Sequence, residues 1–186
     1  MQSEDISIKM RIVNLFVVFL ITVFISGCEK VYVVSKGQEI LFQQEYVNYT
    51  WGFQHNGFII DIEGNILTFE NPDKWNYPDK DGKLTEQQIK ENIASCTLTG
   101  MKISKTDLQK YINYIDNISS SKVTAPKING ADMGSLVYYC FQFSGNSSTY
   151  KATKIKMEGD YQCENLNFYS KKVVHWMKKI NASLPG

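Results

Sequence analysis

Tyr46-Val47-Asn48-Tyr49-Thr50-Trp51-Gly52-Phe53, then Gln54-His55-Asn56-Gly57, then Phe58-Ile59-Ile60-Asp61-Ile62: the fold is decided by how this stretch is read. Asn-Gly tolerates positive φ at both centres of a type I′ turn, so Asn56-Gly57 is the strongest short hairpin signal in the chain. A first strand is expected from Tyr46 to Phe53 and a second over Phe58 to Ile62. Glu63-Gly64-Asn65 marks another turn, leading into Ile66-Leu67-Thr68-Phe69, and the three strands make an antiparallel meander. A period of two puts Phe58, Ile60 and Ile62 on one face. Gly52, inside the first strand, reads as a bulge or a close backbone approach.

Residues 71–83 read as a loop, with two prolines, three aspartates and a glycine. Thr85-Glu86-Gln87-Gln88 fits a capping box, so a helix starts there and runs to near Cys96. A second helix is expected from Ser104, because Leu108, Tyr111, Ile112, Ile115 and Ile118 recur at a spacing of three and four. Residues 119–134 form a linker. A C-terminal hairpin follows: Ser135 to Phe143, a polar turn through Gly145, and Tyr150 to Met157. The last helix is expected from Asn165 to Asn181, with Leu166, Tyr169, Val173, Trp176 and Ile180 as its apolar stripe. Hairpins and helices are segregated, with no strand–helix–strand alternation, so the class is α+β. The architecture is an antiparallel sheet, built from an N-terminal three-stranded meander and a C-terminal hairpin, packed with about three helices.

Upstream, the chain opens differently. Lys9 and Arg11 precede an apolar run from Ile12 to Phe24, which closes on Ile25-Ser26-Gly27-Cys28. Charge, apolar segment and small residues are the order of a secretory signal. The run is about 16 residues, short of the roughly 20 that cross a bilayer as a helix. Its end resembles the lipobox of bacterial lipoproteins: an aliphatic residue, two small residues and a cysteine. Met10 is an alternative start, since Met10-Arg11 opens a more usual signal. The resemblance covers residues 1–28. It implies cleavage before Cys28, a diacylglycerol on the Cys28 thiol and, in many bacteria, a further acyl chain such as palmitate on its amino group. Two or three chains hold a protein on a membrane, at about 0.8 kcal/mol per buried methylene. Glu29 in place of an aspartate points to the outer membrane in a cell that has one.

The expected organisation is therefore a signal peptide at 1–27, a lipid-anchored tether at 28–39 and a single α+β domain at 40–186. Removing the signal leaves 159 residues, enough for a real core. The chain is 43% hydrophobic with a net charge of +1, a globular composition with no electrostatic basis for nucleic-acid binding. The lysines look scattered along the sequence.

Outside the cytoplasm the cysteines other than Cys28, namely Cys96, Cys140 and Cys163, suggest one disulfide and one free thiol, with Cys140–Cys163 preferred as the pair. A nucleophilic cysteine served by His55 or His175 is the enzymatic alternative, but neither histidine lies in a catalytic motif. No cysteine or histidine pair has zinc-ligand spacing. Asp79 and Asp81 lie in a stretch like the middle of an EF-hand loop. Tyr77 and Gln88 replace its two strongest ligands there, so calcium is a weak candidate and a turn into a capped helix explains the same residues. Asp61 and Glu63 flank Ile62 as a turn would require. Trp51, Trp75 and Tyr77 are the candidate ligand surface for a glycan or peptide, against ordinary packing of strand aromatics. No catalytic set and no cofactor is implied. The expected function is that of a membrane-anchored bacterial lipoprotein of the cell envelope, with a non-enzymatic binding or structural role. Its partners are the membrane, through the lipid on Cys28, and an envelope protein or glycan. The alternatives are an envelope or extracellular hydrolase, and an inhibitor presenting residues 71–83.

Overall fold

A computed structural model describes residues 32–185. The signal segment and the lipidation residue Cys28 lie outside these described residues. In chain order the elements are β1 (Ile40–Asn48), β2 (Gln54–Asp61), β3 (Asn65–Glu70), β4 (Lys83–Thr85), α1 (Glu86–Ala94), β5 (Thr97–Lys102), α2 (Lys105–Ile112), α3 (Ile115–Ser119), β6 (Lys127–Ile128), β7 (Ser135–Ser144), β8 (Thr149–Gly159), β9 (Tyr161–Glu164) and α4 (Ser170–Ser183). The nine strands form one open antiparallel sheet in the order β5-β3-β2-β1-β7-β8-β9-β6, with β4 also on β8. The class is α+β.

The meander exists, but its first turn is displaced. Asn56-Gly57 lies inside β2, with Asn56 opposite both Tyr46 and Glu70. β1 runs over Ile40–Asn48, and the loop of residues 49–53 makes the turn. Thr50 N–H donates to the Asn48 side chain at 2.9 Å, and Gly52 takes φ +99°, so Gly52 is a turn residue and not a strand bulge. Gly57 instead answers to crowding. A Cβ there would sit 2.0 Å from the Gln44 carbonyl oxygen and 2.9 Å from the Phe69 ring.

β1 and β7 lie side by side in the middle of the sheet and are buried on both faces. Such strands lose the polar–apolar alternation, which is why both read as nearly continuous apolar runs. One face carries Phe42, Phe58, Ile60, Tyr138, Cys140 and Ile155 under α2, α3 and α4. Tyr111 stacks on Trp176 at 4.0 Å, and Tyr114 on Tyr169 at 4.2 Å. The other face carries Ile59, Phe69, Val137, Tyr139, Phe141 and Tyr150 under α1 and the segment before it. Each fully buried aliphatic or aromatic side chain contributes about 1.5–3 kcal/mol.

The helix starts follow their local chemistry. Thr85 Oγ1 accepts from Gln88 N–H at 3.2 Å and Thr85 N–H donates to Gln88 Oε1 at 2.8 Å, the expected capping box. Ser104 caps α2. The long helix expected from Ser104 is two, because the chain breaks at Asn113–Tyr114, and its stripe still faces the core. The last helix begins at Ser170 and not at Asn165. Asn165 and Asn167 each accept a backbone N–H two residues on, and these side-chain turns compete with helix.

Residues 32–39 are not a free lead-in. Tyr32 and Val34 pack on the helical core, and the buried Gln38 donates to the carbonyls of Ile40 and Phe141. They lie where β7 ends, at the end of the sheet opposite the loop of residues 49–53.

Candidate functional site

At the loop end of β1 and β2 an aromatic chain runs from solvent into the sheet. Tyr49 and Trp51 are 72% and 80% exposed, and Phe53 is 49% exposed. Tyr49 meets Phe53 at 5.3 Å between ring centroids, and Phe53 meets His55 at 6.0 Å. His55 is the hub: Phe69, Trp75 and Tyr77 surround its ring at 5.0, 5.2 and 5.4 Å. Trp75 also lies 4.1 Å from Phe69. The fold thus brings Trp75 and Tyr77 to the same ring, leaves Trp51 exposed on the loop of residues 49–53 without joining them, and adds Tyr49, Phe53 and His55.

Beneath this cluster is a buried polar group. His55 is wholly buried, and its Nε2 lies 3.1 Å from Glu45 Oε2. Gln43 Nε2 donates to the same oxygen at 2.9 Å, and the Tyr139 hydroxyl lies against Glu45. The Tyr77 hydroxyl makes a long contact, 3.4 Å, to His55 Nδ1. With Nε2–H on the carboxylate, Nδ1 is free to accept from that hydroxyl, so one tautomer serves both sides. Burial pushes the Tyr77 phenol up to about 12, with the Glu45 carboxylate adding to the effect, so the hydroxyl stays protonated and able to donate. Tyr139 is pushed well up for the same two reasons. A Tyr–His–Glu series suggests proton transfer, but a wholly buried imidazole is closed to substrate and a raised phenol is a poor nucleophile. The arrangement instead locks the ring of His55, on which Phe53 leans, with Tyr49 against Phe53.

Cys96, Cys140 and Cys163 are free thiols. The expected Cys140–Cys163 bridge is not formed, and the sheet explains why. Cys140 points to the helical face, where its sulfur lies 3.7 Å from Ser119 Oγ. Cys163 pairs with Met157, itself opposite Val137, on the other face. Burial pushes the Cys96 and Cys140 thiols up to about 12 and raises Cys163, opposite to the shift of an activated nucleophile. His175 is exposed on α4.

Asp79 Oδ1 accepts from the N–H groups of Asp81 and Lys83, both at 2.8 Å, which lowers its carboxyl pKa and makes a turn of the calcium-like stretch. Asp61 is tied up in the same way by Glu63 and Asn65. Residues 71–82 do not protrude. Trp75 packs onto the sheet, and Asn76 and Asn92 exchange hydrogen bonds that fasten the segment to α1.

Glu45 lies one residue before Tyr46, just outside the first strand that a turn at Asn56-Gly57 implies. The available signal was the alternation of Gln43, Glu45 and Val47 along one face. Comparison with protein-family models, curated proteins and solved structures finds no match to this chain.

Proposed function

We propose that this chain is a membrane-anchored bacterial lipoprotein of the cell envelope whose domain is a non-enzymatic binding module. The anchor reading rests on Ile25-Ser26-Gly27-Cys28 at the end of the apolar run. The binding reading rests on one observation: Tyr49, Trp51 and Phe53 stand exposed on a single loop, and Tyr49 packs on Phe53, which packs on the buried His55 of the Glu45–His55 pair. Large exposed aromatics that lean on a rigid base are what a hot spot requires, because little side-chain entropy remains to be lost on binding. The occupant is an envelope protein or glycan, met by aromatic faces.

Two experiments test the two halves. Cys28→Ser is expected to release the protein from membranes; full-length protein remaining there would make the segment an uncleaved helix. Replacing Tyr49, Trp51 and Phe53 together by alanine is expected to weaken capture of envelope partners by at least about 30-fold, the effect of losing one hot-spot residue, with the fold unchanged by circular dichroism. Equal capture by the wild type and the triple variant removes the loop from the interface.

A further inference from the structure

The lysines that look scattered in sequence are segregated in the fold. Residues 32–121 carry eight lysines against twelve aspartates and glutamates, whereas residues 122–185 carry nine lysines against four. The basic part includes β8, β9 and α4, and between these elements lies a groove of about 240 Å³. Lys156 enters it from β8, and Lys171, His175 and Lys178 from α4. These three helix residues are four and three apart and share one side of α4. The floor combines the apolar Ile155 and Val174 with a fixed polar pair. Asn165 and Ser170 are buried, Ser170 Oγ donates to Asn165 Oδ1 at 2.9 Å, and Asn165 Nδ2 donates to the Ile118 carbonyl at 2.9 Å. One carboxylate, Glu164, stands on the wall.

A solvated lysine face explains this poorly. Lys156 and Lys178 share a single carboxylate, Glu158, so that trio keeps a positive charge. Among the described residues Lys171 makes no ion pair, and it stands in the first turn of α4, where the helix dipole disfavours a cation. Its position is unfavourable for the empty fold and favourable for holding an anion in the groove beside it.

We infer that this groove binds a small hydroxylated anion, a sugar bearing a phosphate or a carboxylate. Lys156, Lys171 and Lys178 meet the charge, and the Glu164 carboxylate accepts from a sugar hydroxyl. The volume is of the order of one such unit. The site is separate from the aromatic loop and does not depend on that loop's role.

The test is calorimetric titration of the full-length protein with glucose 6-phosphate, glucuronate, glucose and inorganic phosphate. The two anionic sugars are expected to bind, and glucose is not. Lys171→Ala, exposed and without a structural partner, is expected to weaken them about tenfold, the loss of one charge-assisted contact. Glu164→Gln removes a negative charge beside the anion and weakens the acceptor for the sugar hydroxyl, so it is expected to tighten inorganic phosphate and to narrow the preference for glucose 6-phosphate over phosphate. No binding of either anionic sugar, binding indifferent to Lys171→Ala, or phosphate binding as tightly as glucose 6-phosphate overturns the inference.

Discussion

Alanine at position 57 is expected to cost the fold about 3 kcal/mol or more, although it adds a single methyl group. Gly57 lies in the middle of β2, opposite Glu45 on β1 and Phe69 on β3. The added carbon would sit 2.0 Å from the Gln44 carbonyl oxygen, 2.9 Å from Glu45 Cα and 2.9 Å from the Phe69 ring. Two of those atoms are backbone of the central strand and cannot swing aside. Relief requires β1 and β2 to part, and that breaks ladder bonds in the best buried part of the sheet. Gly52→Ala is the control. It meets nothing within 4 Å but keeps φ +99°, so its cost is only the strain of a left-handed residue, about 1–2 kcal/mol. Urea midpoints at unchanged slope give both values. A Gly57→Ala protein no weaker than Gly52→Ala would mean that the strands are not so closely apposed.

The second large effect belongs to Glu45 and His55. His55→Leu leaves a carboxylate buried at the centre of the sheet with only Gln43 and Tyr139 to support it. Glu45→Leu leaves a buried imidazole without its main partner. Each is expected to destabilise by about 3–5 kcal/mol, the cost of orphaning one member of a buried pair. The double variant is expected to cost at least about 2 kcal/mol less than the sum, since it removes both polar groups and leaves apolar shapes. Denaturation of the four proteins closes the cycle; strict additivity would show that the two side chains do not support each other. Partner capture provides a separate readout. If the pair braces the aromatic loop, the double variant folds yet holds its partner less tightly.

The same two positions show how far the sequence could be read. Segregated hairpins and striped helices identified the α+β class, and the residues of β3, β7, β8, α1 and α2 were legible from alternation, capping and turn chemistry. Asn56-Gly57 misled because two different demands select glycine. A turn needs its freedom at positive φ, and a crowded strand needs its missing side chain; local sequence does not distinguish them. Shifting the turn moved the first strand by six residues and hid Glu45. β5 was missed for another reason. Thr97–Lys102 lies at the sheet edge and is mostly exposed, with a glycine at φ +77°, so it has neither an apolar face nor continuous extended backbone. Cys140 and Cys163 both belong to the region of the C-terminal hairpin, but only register and pleat reveal that they face opposite ways. The aromatic surface was half legible. Trp51, Trp75 and Tyr77 read as a group, but only Trp75 and Tyr77 gather around His55, which depends on residues 71–82 folding back onto the sheet.

β1 has a mechanical consequence. The chain enters it at Ile40, and the exposed aromatics begin directly after Asn48, at its other end. Nine extended residues separate the two points by about 30 Å. If the chain is held on its N-terminal side and gripped at that loop, the pull runs through the covalent backbone of one strand already close to full extension. The other described strands and helices stand outside that line. Such tension falls on the backbone of β1 rather than on the ladder bonds of the sheet, so the domain can be dragged between these two points without being opened.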